Sequence, residues 1–274
     1  MSLSLKALVK GLLPNAVCEY SVRRHAYMRV GFDSAEASRK AFSSSRYQAM
    51  CSAHLHMLPR EVTSALSTCV DAGAHRGSWT QALLDVFHPG RVIAVECEPR
   101  LVEQLRATLA PFPNVRIVNS ALAGNNGTAS FYQLRHPAGS SLLKPNAQII
   151  REVEAHSWDV IGEANVTKIT YDDLVKDEPE ISVLKLDIQG AERDVLANSE
   201  DGLRKTKSII MEVNFMEHYE ADAGFPELHE LMKRKQFGLY RISSAYDRGG
   251  RTLYADAIYV REEILNAIPL RSWS

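Results

Sequence analysis

The spacing of apolar residues changes near residue 68. Up to residue 67 they recur three or four positions apart, as in Ala49, Met50, Ala53 and Met57, which predicts helices. From there on, short β-branched runs alternate with helical periods, which is typical of a parallel sheet covered by helices. We therefore predict an N-terminal helical extension over residues 1–67 and an α/β domain over residues 68–274.

Seven runs in this second part have the length and composition of strands. They are Thr68–Asp71, Val92–Glu96, Val115–Asn119, Val183–Asp187, Ile209–Val213, Leu239–Ile242 and Ala257–Val260. Only Ser243–Arg251, with Gly249 and Gly250, separates the last two, which predicts a hairpin and an antiparallel final strand. The expected fold is a seven-stranded, doubly wound sheet.

Residues 124–168 interrupt the alternation of strands and helices. Asn125–Thr128 is typical of a turn, and Phe131–Leu134 has the composition of a further strand. Long insertions in compact domains are usually functional, and this one follows the third predicted strand, at the edge where ligands bind. We predict that it forms a lid over the substrate.

Composition and charge exclude several classes of protein. The chain has 274 residues, of which 45% are hydrophobic, and its 32 basic and 33 acidic side chains leave a net charge of -1. A dedicated nucleic-acid binder would carry a basic surplus. No uncharged apolar run of 18 residues predicts a membrane span, and the four cysteines form no C-x-x-C pair. We expect reduced thiols and a cytoplasmic location.

A glycine-rich turn follows the first predicted strand. It contains Asp71, Gly73, Ala74, His75 and Gly77. Glycines at such a turn let the backbone approach a ligand, and the next helix offers free N–H groups.

A carboxylate stands at the corresponding point of the second strand. Glu96 lies 23 residues after Gly73, where it can accept both hydroxyls of a ribose. His75 occupies the position at which a dinucleotide site needs its second glycine, so a diphosphate fits poorly. Asp71 suits an ammonium group. These residues favour S-adenosylmethionine over a nicotinamide dinucleotide.

The ends of the fourth and fifth strands carry candidate catalytic groups. Asp187 ends the fourth strand, over the expected position of the methyl group of S-adenosylmethionine, and is a candidate base. Its alternative role is to cap the following helix. Lys185 shares its strand face, and His218 is a second candidate base. Asp187, Glu212 and Asn214 have oxygen ligands suited to Mg²⁺, although we favour hydrogen bonds to a sugar over a metal site.

Two serines in the insertion are further candidates. Ser140 and Ser141 follow Gly139, and their hydroxyls are expected to line the cofactor or substrate pocket. Neither lies in the G-x-S-x-G turn of a hydrolase, so acyl transfer is disfavoured.

Five motifs over residues 68–261 resemble the FkbM family of S-adenosylmethionine-dependent methyltransferases. They are Asp71-x-Gly73-Ala74-x-x-Gly77, Val95-Glu96-x-Glu98-Pro99, Asn119-Ser120-Ala121-Leu122, Gly139-Ser140-Ser141-Leu142 and Leu184-Lys185-Leu186-Asp187-Ile188-Gln189-Gly190-Ala191-Glu192. The last run departs from the family at Gln189, where a glutamate is usual.

The resemblance implies a class I methyltransferase, Rossmann-like fold and methylation of a hydroxyl on a sugar, glycoconjugate or secondary metabolite. It places the methionine part of the cofactor on Asp71 and the turn from Gly73 to Gly77, the ribose on Glu96, and the adenine beside Ser120 and Ala121. The alternatives are a non-catalytic protein that binds S-adenosylmethionine and, less favoured, a nicotinamide-dependent oxidoreductase. A homodimer stays open.

Overall fold

The computed structural model describes residues 55–149, 158–243 and 245–269. Residues 1–54 of the predicted helical extension lie outside this range, as do Cys18 and Cys51. In chain order the described residues form α1 (Arg60–Thr63), β1 (Thr68–Ala72), α2 (Ser78–Phe87), β2 (Arg91–Val95), α3 (Pro99–Leu109), β3 (Val115–Val118), β4 (Ala121–Leu122), β5 (Gly127–Leu134), a 3₁₀ turn (Pro137–Gly139), α4 (Ala147–Ile149), β6 (Val160–Ile169), α5 (Tyr171–Leu174), β7 (Ile181–Leu186), α6 (Glu192–Ala197), α7 (Asp201–Arg204), β8 (Thr206–Asn214), α8 (Phe225–Arg234), β9 (Phe237–Ile242), β10 (Tyr246–Arg248), β11 (Arg251–Arg261) and α9 (Glu262–Ala267).

The main sheet has eight strands and contains all seven that the sequence predicts. Its order is β3-β2-β1-β7-β8-β11, with β9 and β10 both paired to β11. Within this sheet the five strands β3, β2, β1, β7 and β8 are parallel, and β11 runs antiparallel to β8. The prediction of a doubly wound α/β sheet with an antiparallel last strand is confirmed. The short β10 is an addition that the sequence pattern missed.

Apolar side chains alternate between the two faces of this sheet, so helices cover both faces. On one face, Leu184 and Met211 pack with Val195 of α6 and Leu231 of α8. On the other, Val183 and Ile210 pack with Leu83 of α2 and with Leu55, Leu58 and Val62 near the start of the described chain. The result is a three-layer domain with the sheet in the middle.

The predicted insertion forms a small sheet of its own. Its order is β4-β6-β5, and β5 and β6 form a long antiparallel pair. The extra strand predicted near Phe131 is therefore confirmed, as part of Gly127–Leu134. The role of the insertion as a lid stays a prediction.

The chain reverses its direction of travel across the sheet at β1. This strand pairs with β2 on one side and with β7 on the other, all three being parallel. In such sheets the loops after the two neighbouring strands diverge and leave a crevice at the carboxyl edge. The loops after β1, β2 and β7 therefore define the candidate site. Within the described residues, no helix combines the length and the apolar character that a membrane crossing requires.

Candidate functional site

The turn after β1 packs directly against the end of β7. Gly73 has φ +76°, and a Cβ atom placed on it would lie 1.9 Å from the backbone oxygen of Asp187. Its N–H group and that of Ala74 both donate to the Val95 carbonyl at 3.0 Å. Only glycine tolerates both this conformation and this approach. The turn is thereby held between β2 and β7.

Glu96 lies directly after β2 with its side chain turned toward this turn. It is 7% exposed, and its two oxygens accept the N–H groups of His75 and Glu98, each at 2.7 Å. Burial raises the pKa of Glu96 to about 7. An ionised carboxylate offers about four acceptor positions, so about two remain for ligand hydroxyls.

A lysine lies between two carboxylates on β1 and β7. Lys185 Nζ is 3.1 Å from Asp71 Oδ1 and 3.4 Å from Asp187 Oδ2. Asp71 is fully buried, and its other oxygen accepts the Thr80 hydroxyl at 2.6 Å. Its carboxylate thus supports the turn from within the protein, and its predicted contact with the methionine part stays a prediction. The side chain of Asp187 is 37% exposed and faces the crevice edge.

The alternative role of Asp187 as a helix cap is wrong. Helix α6 begins at Glu192 and has no capping side chain. Glu192 itself accepts the N–H groups of Ile188 and Gly190, both at 2.9 Å, and so satisfies the loop before the helix. Asp187 is therefore free of that structural task.

Gln189 connects Asp187 to the loop after β8. Its amide Nε2 donates to Asp187 Oδ1 at 2.8 Å, and its Oε1 lies 2.7 Å from the hydroxyl of Tyr219. Its backbone has φ +57°. The side chain of Ser141 donates to the Gln189 carbonyl at 2.6 Å, which joins the insertion to this loop.

Both histidines of the predicted site are kept neutral by burial. Burial and the nearby Arg76 lower the pKa of His75 to about 3. His218 is 2% exposed, its ring packs against Trp158 and Tyr254, and burial lowers its pKa as well. Its Nδ1 lies 2.9 Å from the Met216 carbonyl, which makes Nδ1 the donor and leaves Nε2 as the acceptor.

The remaining predicted residues lie in the insertion or at its base. Ser140 Oγ accepts the Leu134 N–H at 3.0 Å, and Ser120 Oγ lies 3.1 Å from the hydroxyl of Thr167. Ala121 begins β4 and is buried. Ser141 contacts the crevice through Gln189, whereas Ser120 bonds to Thr167 of β6, and Ser140 bonds to Leu134 of β5 and to Arg100 of α3. Their contacts with a cofactor stay predictions.

Further carboxyl groups lie close enough to Asp187 or to one another to interact electrostatically. Burial, followed by the charge of Asp187, raises the pKa of Glu212 well above its ordinary value, and burial raises that of Glu192 to about 8 and of Asp222 to about 6. Asn214 donates to Asp222 Oδ2 at 2.7 Å. In residues 55–149, 158–243 and 245–269, no group of three or more His, Cys, Asp or Glu side chains is placed to hold a metal ion.

Sequence reasoning missed a second network, centred on Glu98. This carboxylate is 1% exposed and accepts from Arg100 Nη2 and from Gln133 Nε2, both at 2.7 Å. Arg100 also donates to the Leu134 carbonyl and to Ser140 Oγ. The Glu98-x-Arg100 spacing at a helix start was the available signal, but the partners in the insertion are visible only in three dimensions. The network joins α3 to β5 beside the candidate ribose site.

Known proteins share this sequence pattern. Residues 71–239 match the model of the methyltransferase FkbM domain. The 2-O-methyltransferase NoeI of Sinorhizobium fredii is 23% identical in an alignment 198 residues long that covers 63% of this chain and 75% of that protein.

Two solved structures match this chain at low sequence identity. A methyltransferase FkbM from Methylobacillus flagellatus KT is 14% identical with a TM-score of 0.44; the match covers 77% of this chain and about half (51%) of that one. The magnesium protoporphyrin IX methyltransferase of Synechocystis PCC 6803, solved with bound SAM, is 10% identical over 91% of this chain and 100% of its own, with a TM-score of 0.42. The fold assignment rests on the strand order described above and on the domain match, which together indicate a class I methyltransferase domain. The chain belongs to the FkbM methyltransferase family.

Proposed function

We propose that this protein is an S-adenosylmethionine-dependent O-methyltransferase that acts on a hydroxyl of a sugar, glycoconjugate or secondary metabolite. One observation carries the proposal. The Gly73 turn packs against the backbone of Asp187, so the carboxylates of Glu96 and Asp187 flank the same crevice at the ends of β2, β1 and β7. One carboxylate suits a ribose, and the other suits the proton of an acceptor hydroxyl.

The residues of the crevice fit this cofactor. Glu96 retains acceptor positions after binding the N–H groups of His75 and Glu98, which is the chemistry that two ribose hydroxyls require. The turn from Gly73 to Gly77 would hold the methionine part through its backbone, with Asp71 and Lys185 supporting it from behind. The cofactor supplies a methyl group on a positively charged sulfur.

Asp187 is the group that we assign as the base. The bound cofactor would supply the methyl group for in-line attack by the acceptor oxygen, and the Asp187 carboxylate would accept the hydroxyl proton. Lys185 and Gln189 contact the two oxygens of this carboxylate and so fix its plane. His218 stays the second candidate, but its ring is buried among aromatic side chains.

Support for a hydroxyl acceptor comes from the relative NoeI, which is named a 2-O-methyltransferase. The aromatic side chains of Trp158 and Tyr254, which pack against His218, would suit the apolar face of a sugar ring. We propose a small molecule or a glycan as the acceptor, with no nucleic acid, and we favour a reaction without Mg²⁺ over one that uses it.

The cofactor is the first point to test. Isothermal titration of the purified full-length protein with S-adenosylhomocysteine, and separately with NAD, should give micromolar binding of the first alone. A transfer assay with methyl-labelled cofactor and a panel of glycosides would follow. Binding without transfer to any hydroxylated acceptor would favour the non-catalytic alternative, and binding of NAD alone would favour the oxidoreductase.

The base is tested by Asp187→Asn. This change preserves shape and removes proton acceptance, so we expect turnover to fall about a hundredfold or more while affinity for S-adenosylhomocysteine stays within about threefold. Asp85→Asn, on the exposed side of α2, is the matched control and should leave both values unchanged. Equal turnover of Asp187→Asn and the unmodified protein would remove Asp187 from the mechanism.

A further inference from the structure

We propose that Gln189 is a positioning residue that orients the Asp187 carboxylate and keeps it able to accept a proton, an inference that rests on the proposed O-methyl transfer. Gln189 is also the position at which this chain departs from the glutamate implied by the family resemblance. The structure explains why an amide is suited to this place.

The hydrogen bonds of Gln189 define which end of its amide faces Asp187. Tyr219 is fully buried, and burial raises the pKa of its hydroxyl well above the ordinary value, so the hydroxyl keeps its proton and acts as a donor. This hydroxyl lies 2.7 Å from Gln189 Oε1 and 2.8 Å from the Gly139 carbonyl. The Asp187 carboxylate only accepts hydrogen bonds, so the NH₂ group of Gln189 faces Asp187 Oδ1 at 2.8 Å and the amide oxygen faces the Tyr219 hydroxyl.

The backbone of Gln189 is held in place from two sides. Its φ of +57° is uncommon for a residue other than glycine. The hydroxyl of Ser141 donates to its carbonyl, and the N–H of Gly190 donates to Glu192 Oε2. A side chain on such a backbone points in a direction that an ordinary loop residue would not take, here toward Asp187.

The charges around Asp187 show what a glutamate at position 189 would change. The titratable groups that face Asp187 are Lys185 on β7, His75 in the turn after β1, Glu192 on α6, Glu212 on β8 and Tyr219 in the loop after β8. Lys185 is the cation of this set that contacts it, at 3.4 Å. A glutamate carboxylate in place of the amide would set a like charge at hydrogen-bond distance. Two such carboxyl groups share one proton, which removes the free base near neutral pH.

The test compares two variants of the full-length protein, Gln189→Glu and Gln189→Met. Gln189→Glu keeps the shape and adds a charge, so the acid limb of the pH dependence of kcat/KM should move up by at least about one pH unit, with activity recovering toward that of the unmodified protein at high pH. Gln189→Met removes the donor without adding charge, so it should lower kcat about tenfold without that displacement. Affinity for S-adenosylhomocysteine should change less than about threefold in both.

A purely structural role predicts a different outcome. Both variants would then lose activity to the same extent, and the acid limb of their kcat/KM profiles would lie at the same pH as in the unmodified protein. This result would overturn the inference. Tyr219→Phe, which leaves the strained loop residue in place, provides a second route should both Gln189 variants misfold. We expect it to lower kcat about threefold to tenfold at unchanged cofactor affinity, and an unchanged kcat would contradict the proposed orientation.

A readout without catalysis separates this inference from the proposed function. In protein labelled at aspartate carboxyl carbons, the resonance of Asp187, assigned from Asp187→Asn, should titrate at higher pH in Gln189→Glu than in the unmodified protein. Displacement of that titration in a protein that transfers no methyl group would sustain the inference and refute the proposed function. An active enzyme without the displacement would refute the inference alone.

Discussion

Two carboxylates of the crevice differ in their surroundings, and this difference suits them to different tasks. Glu96 is almost fully buried and is held by two backbone N–H groups, whereas Asp187 is more than a third exposed and contacts Lys185 and Gln189. Environments that separate the properties of two acids commonly separate their roles. Here the buried group is the binding candidate and the exposed one is the base.

Replacement of Glu96 by alanine should weaken the binding of S-adenosylhomocysteine by about ten- to a hundredfold. Two hydrogen bonds to one carboxylate contribute about 1.5 to 3 kcal/mol. Calorimetry would measure the change, with Glu103→Ala as the control because that side chain is 80% exposed on α3. Equal affinities of Glu96→Ala and the control would contradict the placement of the ribose.

The affinity of the unmodified protein should also depend on pH. With the pKa of Glu96 at about 7, part of the ligand-free protein carries a proton there at neutral pH, and ribose hydroxyls donate to the ionised form. Binding therefore favours the deprotonated group, and affinity should rise about tenfold from pH 6 to pH 8. Titrations of Glu96→Gln over the same range should be nearly flat; a slope equal to that of the unmodified protein would assign the effect to another group.

At the scale of elements, two connections hold the crevice together. The turn between β1 and α2 contacts β7 through Gly73, and α3 contacts the insertion through Arg100. Each contact joins segments that are distant in sequence. For each contact, a similar residue elsewhere in the fold provides a control substitution that isolates the contribution of the contact to stability.

Gly73→Ala should be strongly destabilising and should abolish cofactor binding. The new Cβ atom would overlap the Asp187 carbonyl oxygen at 1.9 Å, in addition to the strain of a positive φ. Gly250 is the matched control because its φ is +78° and nothing lies within 4 Å of its Cβ position. We expect a loss of about 1 kcal/mol for Gly250→Ala and at least about 3 kcal/mol for Gly73→Ala in urea unfolding. Similar losses of stability in the two variants would mean that the structure shifts to make room for the new Cβ atom beside Asp187.

Arg100→Ala should lower stability more than the loss of a surface ion pair does. It would leave the buried Glu98 carboxylate with fewer donors and would release the Leu134 carbonyl and Ser140. We expect a loss of about 2 to 3 kcal/mol, against about 0.5 kcal/mol or less for Arg106→Ala, whose exposed pair with Glu103 lies on the same helix. Both values are measured by urea unfolding. Equal losses would show that the network adds no stability.

At the scale of the whole molecule, buried and partly buried acids are concentrated on the carboxyl side of β7 and β8. Glu192, Glu212 and Asp222 all have pKa values raised by burial. Glu192, with a pKa of about 8, therefore keeps a proton in the folded domain that an unfolded chain would release at neutral pH. A homodimer and a cytoplasmic location stay predictions from composition and sequence.

The free energy of unfolding should fall as pH rises from 6.5 to 8.5. The folded pKa values of Glu96, about 7, and Glu192, about 8, lie above those of the unfolded chain, so stability present at low pH is lost as pH passes through them. The lowered pKa values of His75, His136 and His218 act in the opposite direction, mainly below about pH 7, because an unfolded histidine titrates near pH 6.5. We expect a loss of about 1 to 3 kcal/mol in urea unfolding. Glu192→Gln should flatten the slope, and a pH-independent value in the unmodified protein would contradict the effect of burial.

Sequence patterns alone predict seven of the eight strands of the main sheet and the crevice at its edge. Periodicity and β-branched runs report local conformation and burial, and the order of parallel strands places their carboxyl ends together. Gly73, Glu96 and Asp187 were therefore predictable as neighbours. The motifs also located Gln189 as a departure from the family, but they could not assign it a partner.

The side chains that hold these groups in place are defined by packing in three dimensions. Gln133 reaches Glu98 across 35 residues, and Ser141 reaches Gln189 across 48. Both contacts depend on how the insertion sheet packs against the main sheet. Tyr219 contacts Gln189 because the loop that carries Tyr219 follows β8, and Gln189 follows the neighbouring strand β7. Hydrogen bonds over such separations depend on packing between elements, and local sequence patterns carry no record of that packing.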